Sequence, residues 1–205
     1  MTAEEEKKLI SRVLAGERDA FEPLVTANQT RVYSMALRIT GNEADAADAA
    51  QEAFVRAYTA LGSFRGESRF STWLCRLAGN AAIDILRARK ADRSISLSEL
   101  ANEDGELPDF PDESCLPETE LEKKELREEV RRAMAELPEE YRAILSMREL
   151  GELSYEELGE ALSLEQGTVK SRLSRARARL CAILLRSGNF SACASSKERK
   201  GGARS

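Results

Sequence analysis

Residues 154–180 read SYEELGEALSLEQGTVKSRLSRARARL, and their order of capping, apolar and cationic residues decides the fold. Ser154 with Glu157, and Ser163 with Gln166, each have the capping-box form, in which a hydroxyl and the side chain three residues on satisfy each other's backbone donors. Two helix starts this close predict a tight helical corner. Tyr155, Leu158 and Ala161 give the first helix an apolar face, while Val169, Leu173, Ala176, Leu180 and Leu184 give the second a stripe at helical spacing. The two faces can pack, which makes the stretch a helix-turn-helix.

Lys170, Arg172, Arg175, Arg177 and Arg179, with Ser171 and Ser174, share the rest of the second helix, and no acid lies between Glu165 and Glu198. A basic helix is ordinarily a solvated surface. Here the cations sit on the element that enters the major groove in this motif class, with polar side chains able to meet base edges among phosphate binders. If about four cations neutralise phosphates, affinity should fall roughly 150-fold between ~50 and ~200 mM salt.

Around this motif the chain is 205 residues long, 42% hydrophobic, 33% charged and 5% aromatic. That composition predicts an all-α fold in one domain or two small ones. The net charge of −5 hides a segregation: +1 over 1–93, −9 over 94–125, −1 over 126–185 and +4 over 186–205. The stretch 94–125 holds three of the five prolines and suits a flexible acidic linker between two domains, 1–93 and 126–185. The tail 186–205, rich in Ser, Gly, Ala and charge, is expected to be disordered.

Helical periodicity continues outward. Leu9, Ile10, Val13 and Leu14 form one stripe, and Phe21, Leu24, Val25, Val32, Ala36 and Ile39 form another that ends at Gly41. A third helix is predicted after Asn42 with Phe54, Val55, Tyr58 and Leu61 on its buried face, and a fourth from Ser71 or Thr72 through Leu86. Beyond the linker, helices are predicted over about 118–136, 138–149 with Pro138 in the first turn, 155–162 and 164–185.

Several function classes lose ground. No apolar run approaches the ~20 residues of a membrane span, and MTAEEEKKLI lacks a signal region, so the expected location is the cytoplasm. Cys75, Cys115, Cys181 and Cys193 show no CxxC spacing and the chain has no histidine, so no metal site, cofactor or catalytic residue is expected. An enzyme would have to rely on carboxylates that fall in the linker or at helix starts, without a phosphate loop or an activated nucleophile.

Residues 137–180, LPEEYRAILSMRELGELSYEELGEALSLEQGTVKSRLSRARARL, resemble the fourth conserved region of extracytoplasmic-function sigma factors, a branch of the sigma-70 family, down to the GTVKSR run 167–172. Independently, DAADAAQEAFVRAYTALGSFRGESRFSTWLCRLAGNAAIDILR (45–87) resembles sigma region 2. Two resemblances in family order cover about residues 5–184. They imply a chain that binds core RNA polymerase, recognises the minus 10 and minus 35 promoter elements, aids melting and is held by an anti-sigma factor, at the membrane where that partner is membrane-linked.

The resemblance also implies roles for residues. Asp45, Asp48, Gln51, Glu52, Phe54 and Arg56 correspond to the polymerase-docking helix. Phe64, Arg65, Arg69, Phe70, Trp73, Arg76 and Asn80 correspond to the minus 10 reader, where aromatic faces and cations suit unstacked bases of the melted non-template strand and an amide suits an extruded base. Trp73 also sits at helical spacing with Leu77, as a core residue would. Thr168, Lys170, Ser171, Ser174 and Arg175 correspond to minus 35 contacts, with Arg172 and Arg177 binding phosphate or packing. The linker's 32 residues would have to stretch beyond a coil average of ~30 Å to join elements ~34–70 Å apart. A conventional helix-turn-helix regulator that binds duplex alone would explain 154–180 but leave 64–80 without a role.

Overall fold

The computed structural model describes residues 1–93 and 120–186, and every described element is helical. The expected tail beyond Arg186 and most of the expected linker, with Cys115 and Cys193, lie outside the described residues; 120–125, the linker's end, are helix. In the first half, α1 (Ala3–Leu14), α2 (Glu22–Thr40), α3 (Glu43–Thr59) and α4 (Phe70–Arg93) are joined through 3-10 turns at Arg18–Phe21 and Leu61–Ser63. In the second, α5 (Glu120–Glu136), α6 (Glu139–Glu149), α7 (Tyr155–Leu162) and α8 (Gln166–Arg186) follow.

Local chemistry explains the helix boundaries. Thr2 and Glu5 form a reciprocal capping box that starts α1, Asn42 Oδ1 accepts from the Asp45 amide to start α3, and Gly41, at φ 68°, ends α2. The α4 start lies at Phe70, slightly ahead of the Ser71 or Thr72 expected, because Glu6 Oε1 accepts the Phe70 amide proton at 2.6 Å. Pro138 is the N-cap of α6 rather than a first-turn residue.

The buried face of α3 differs from the one expected. Ala46, Ala49, Ala50, Ala53 and Ala57 face inward, whereas Phe54 is half-buried and Val55 and Tyr58 are 52% and 40% exposed. The alanine stripe lets α3 approach both α2 and α4 closely, which leaves no room for larger groups on that side. Leu61 is buried as expected.

Leu24, Val32, Met35, Ile39, Phe70 and Leu74 fill the first core, and Ile144, Met147, Leu153, Leu158, Val169 and Leu173 fill the second. The two halves touch: α6 lies against α2 and α4, and α7 against α4. Arg142 donates from Nε and Nη2 to the Ile39 carbonyl at 3.3 and 3.2 Å, satisfying an acceptor at the C-terminal end of α2. Burial lowers the pKa of this guanidinium from its usual value, with Glu139 opposing the shift.

Candidate nucleic-acid interface

The helix-turn-helix forms as the apolar spacing requires, but only one of its two expected capping boxes exists. Ser154 accepts from the Glu157 amide at 3.1 Å and Glu157 Oε2 accepts from the Ser154 amide at 2.8 Å. Ser163 instead ends α7 in the left-handed region, at φ 56° and ψ 47°. The corner closes through the Leu164 amide donating to the Gly159 carbonyl at 2.8 Å. A Cβ at Gly159 would stand 2.8 Å from the Leu164 carbonyl oxygen, so this corner needs glycine there.

Val169, Leu173 and Ala176 are buried on α8, and Leu180 and Leu184 pack partly against the core. Their burial turns Lys170, Ser171, Ser174 and Arg175 outward as one exposed face, with Thr168 and Arg172 half-buried at its edge. Ser171 Oγ donates to the Thr168 carbonyl at 3.0 Å. Arg172 pairs with Glu140 at 3.2 Å and Arg177 with Glu149 at 2.9 Å. Both acids belong to α6, an electrostatic support that single-helix reasoning missed, although Glu140 and Glu149 lie in plain view in the sequence. Hydrogen bonding to Glu149 raises the already high Arg177 pKa.

The residues expected to read the minus 10 element divide into a floor and a rim. Phe70 is fully buried and Trp73 is 7% exposed. Their rings stand 5.7 Å apart, and half-buried Phe64 meets Phe70 edge-on at 5.9 Å and Trp73 at 5.1 Å. Phe21 and Tyr58 extend this cluster, with centroids 5.2 Å apart. The core reading of Trp73 therefore holds, and Phe64 is the aromatic of the trio that reaches the surface. Arg65 and Arg69 are exposed beside it. Further along α4, Arg76 pairs with Glu160 of α7 at 3.2 Å, and Asn80 Oδ1 is buried without a hydrogen-bond partner.

The third cluster lies on α3. Asp48, Gln51 and Glu52 are exposed and Phe54 is half-buried. Asp45 is half-buried and held by Arg89 at 2.6 Å, while Arg56 bonds Glu52 at 2.6 Å and lies 3.9 Å from Asp84. Val55 and Tyr58, expected inside, join this outer surface.

Residues 24–92 match the Sigma-70 region 2 model and residues 127–180 the Sigma-70 region 4 model. The chain is 37% identical over 173 residues to the ECF RNA polymerase sigma factor SigW of Bacillus subtilis (strain 168), covering 83% of this chain and 92% of that one. It is 40% identical over 170 residues to the ECF RNA polymerase sigma-E factor of Escherichia coli (strain K12), covering 82% and 88%. The chain belongs to the extracytoplasmic-function RNA polymerase sigma factors. As such a factor it is a DNA-binding transcription initiation protein that works with core RNA polymerase at promoters, and it is not an enzyme.

Among solved structures, CnrH in complex with the cytosolic domain of CnrY matches at TM-score 0.55 and 24% identity, covering 89% of this chain and 98% of that one. The sigma factor RpoE with the anti-sigma factor NepR from Bartonella quintana matches at TM-score 0.55 and 20% identity, covering 80% and 96%. Both support the fold. No described helix is long and apolar enough to cross a membrane.

Proposed function

We propose that this sigma factor divides its work among three surfaces, two for promoter DNA and one for the polymerase. Two DNA-binding domains, the first over 1–93 and the second beginning with α5 at Glu120 rather than at 126, joined by the acidic stretch before it and followed by the tail 186–205, carry that division. The observation that carries the reading is the one-sided α8: its apolar stripe is buried and Lys170, Ser171, Ser174 and Arg175 face outward together. Such a face fits a major groove, with the serines toward base edges and the cations toward guanine edges or phosphate. Thr168 shapes the start of that face, and Arg172 and Arg177, held by α6 acids, serve phosphate or packing.

The half-buried Phe64 with exposed Arg65 and Arg69 forms the platform on which an unstacked minus 10 base rests, supported from behind by Phe70 and Trp73. Arg76 and Asn80 continue that surface along α4. Asp48, Gln51 and Glu52, with Asp45, Phe54 and Arg56 shaping the helix beneath them, form the polymerase-docking face. An anti-sigma factor regulates the chain in the cytoplasm or at the membrane. Support comes from the fold shared with RpoE, which was solved with the anti-sigma factor NepR.

Reconstitution with core polymerase tests the reading. The chain alone is expected to bind promoter duplex weakly, and the holoenzyme to form open complexes specifically. Lys170→Ala should leave the fold intact and reduce the salt slope of promoter binding by about one unit. Tight, polymerase-independent duplex binding would instead make the chain a conventional regulator.

A further inference from the structure

The helix α1 ends before the region 2 match begins at residue 24, and it carries none of the residues assigned to DNA or polymerase. Its inward stripe is Glu6, Leu9, Ile10 and Val13, so a carboxylate stands at a helical position where an apolar side chain would be expected. A half-buried carboxylate is tolerated where it accepts hydrogen bonds. Glu6 Oε1 accepts the Phe70 amide proton at 2.6 Å, from a donor 64 residues along the chain. That bond supplies what α4 lacks. This 24-residue helix has no acid in its own first turn, although a helix N-terminus presents unpaired amides and the positive end of a dipole. A carboxylate bonded to a backbone amide is among the stronger hydrogen bonds. At its other end α1 reaches the 3-10 turn Leu61–Ser63, where a Cβ on Gly62 would stand 4.0 Å from Leu14 Cδ2. Glu6 and Leu14 lie about 12 Å apart along the helix. Between these two anchors the chain carries Phe64, Arg65 and Arg69.

We propose that α1 brackets the loop between Gly62 and Phe70, and that Glu6 is a positioning residue for capture of the melted strand. By holding the Phe70 amide, Glu6 fixes where α4 begins and therefore where Arg69 leaves the helix. It also fixes the Phe70 ring, on which Phe64 rests edge-on at 5.9 Å. A stacking shelf held in place before the base arrives avoids the entropy of ordering the loop on binding. Glu6 touches no base in this role and acts through the loop alone. This positioning rests on the proposed strand-reading role of Phe64, Arg65 and Arg69, and adds to it the element that holds them.

Holoenzyme assembled from the full chain provides the test, with a promoter duplex whose non-template minus 10 segment is left unpaired. Glu6→Leu completes the apolar stripe of α1 but leaves the Phe70 amide without its acceptor, and should weaken binding of that probe about tenfold, the scale of a lost helix cap. Glu6→Gln keeps an oxygen that can accept the same proton and should stay within about twofold of the wild type. Affinity for core polymerase should be equal in all three chains. In the free chain, amide hydrogen exchange in Glu6→Leu should rise severalfold over the peptide that begins α4 and stay level over α8. Phe64→Ala, measured alongside, keeps the two roles apart. If it leaves probe binding unchanged, the strand-reading surface itself fails, whereas a loss with Phe64→Ala and none with Glu6→Leu overturns the positioning alone. Equal losses with Glu6→Gln and Glu6→Leu, level exchange at the start of α4, or a Glu6→Leu chain that loses polymerase affinity in proportion would each overturn the positioning as well.

Discussion

The helices α4 and α8 carry the two surfaces proposed to face DNA, yet they are built by opposite routes. The start of α4 packs buried Phe70 and Trp73 beneath Phe64, and its cations meet acids of the other half of the molecule. On α8 a narrow apolar stripe anchors one side only, and acids of α6 in its own half brace the cations at its margin. Unstacked bases need an apolar shelf, and a shelf must be supported by core; a duplex needs charge, which can stand on a thin stripe. The first surface is therefore tied to stability and the second is nearly free of it.

The largest expected effect tests that tie. Phe70→Ala removes the ring at the centre of the aromatic cluster and should cost about 3–5 kcal/mol in denaturant unfolding. Phe64→Ala, at the half-exposed rim, should cost about 1 kcal/mol, because little of its cavity would be enclosed, while still cutting open-complex formation. Equal losses for the two substitutions would erase the distinction between floor and rim.

The thiols sharpen the same contrast. Cys75 on α4 is fully buried and Cys181 on α8 is half-exposed. Burial pushes the Cys75 pKa up to about 11, against the opposing charge of Arg31. Because the folded thiol keeps its proton above the unfolded pKa, it has no effect below about pH 9 and lowers stability as pH rises from there toward 11. The loss should reach about 2 kcal/mol and should be missing from Cys75→Ala when unfolding midpoints are compared from pH 8 to 10.5. At pH 8, iodoacetamide should label Cys181 and spare Cys75; rapid labelling of both would mean that the α4 core opens readily.

Most of this fold is legible in one-dimensional patterns because amphipathic periodicity and capping act within a few residues. The α8 stripe, the Asn42 cap and the Ser154–Glu157 box are local in that sense. What escapes is set by neighbours far along the chain. Hydrophobicity places Val55 and Tyr58 inside, but the alanines on the other side of α3 permit closer packing, and the larger groups remain outside. Likewise, the sequence leaves Arg172 and Arg177 between phosphate binding and packing, and only the fold brings Glu140 and Glu149 of α6 against them. At the minus 10 surface, residue types point to stacking but cannot say which ring faces solvent, because that depends on how α4 meets the 3-10 turn before Phe64.

The smallest effects concern the corner that begins α8. Two serines with the same downstream spacing look alike in sequence, yet Ser154 caps α7 and Ser163 sits in the left-handed region at its end. Ser154→Ala should remove one side of a satisfied box and cost about 1 kcal/mol. Ser163→Ala should cost a few tenths, since no cap is lost and both residues carry a Cβ that the left-handed backbone disfavours. Ser163→Gly should stabilise by about 0.5–1 kcal/mol, because glycine occupies that backbone region without strain. Denaturant midpoints for the three variants would therefore rank Gly above Ser at 163, and Ala at 154 lowest. If Ser163→Ala matched Ser154→Ala, the second box would exist in solution and α8 would begin two residues earlier, at Leu164 rather than Gln166.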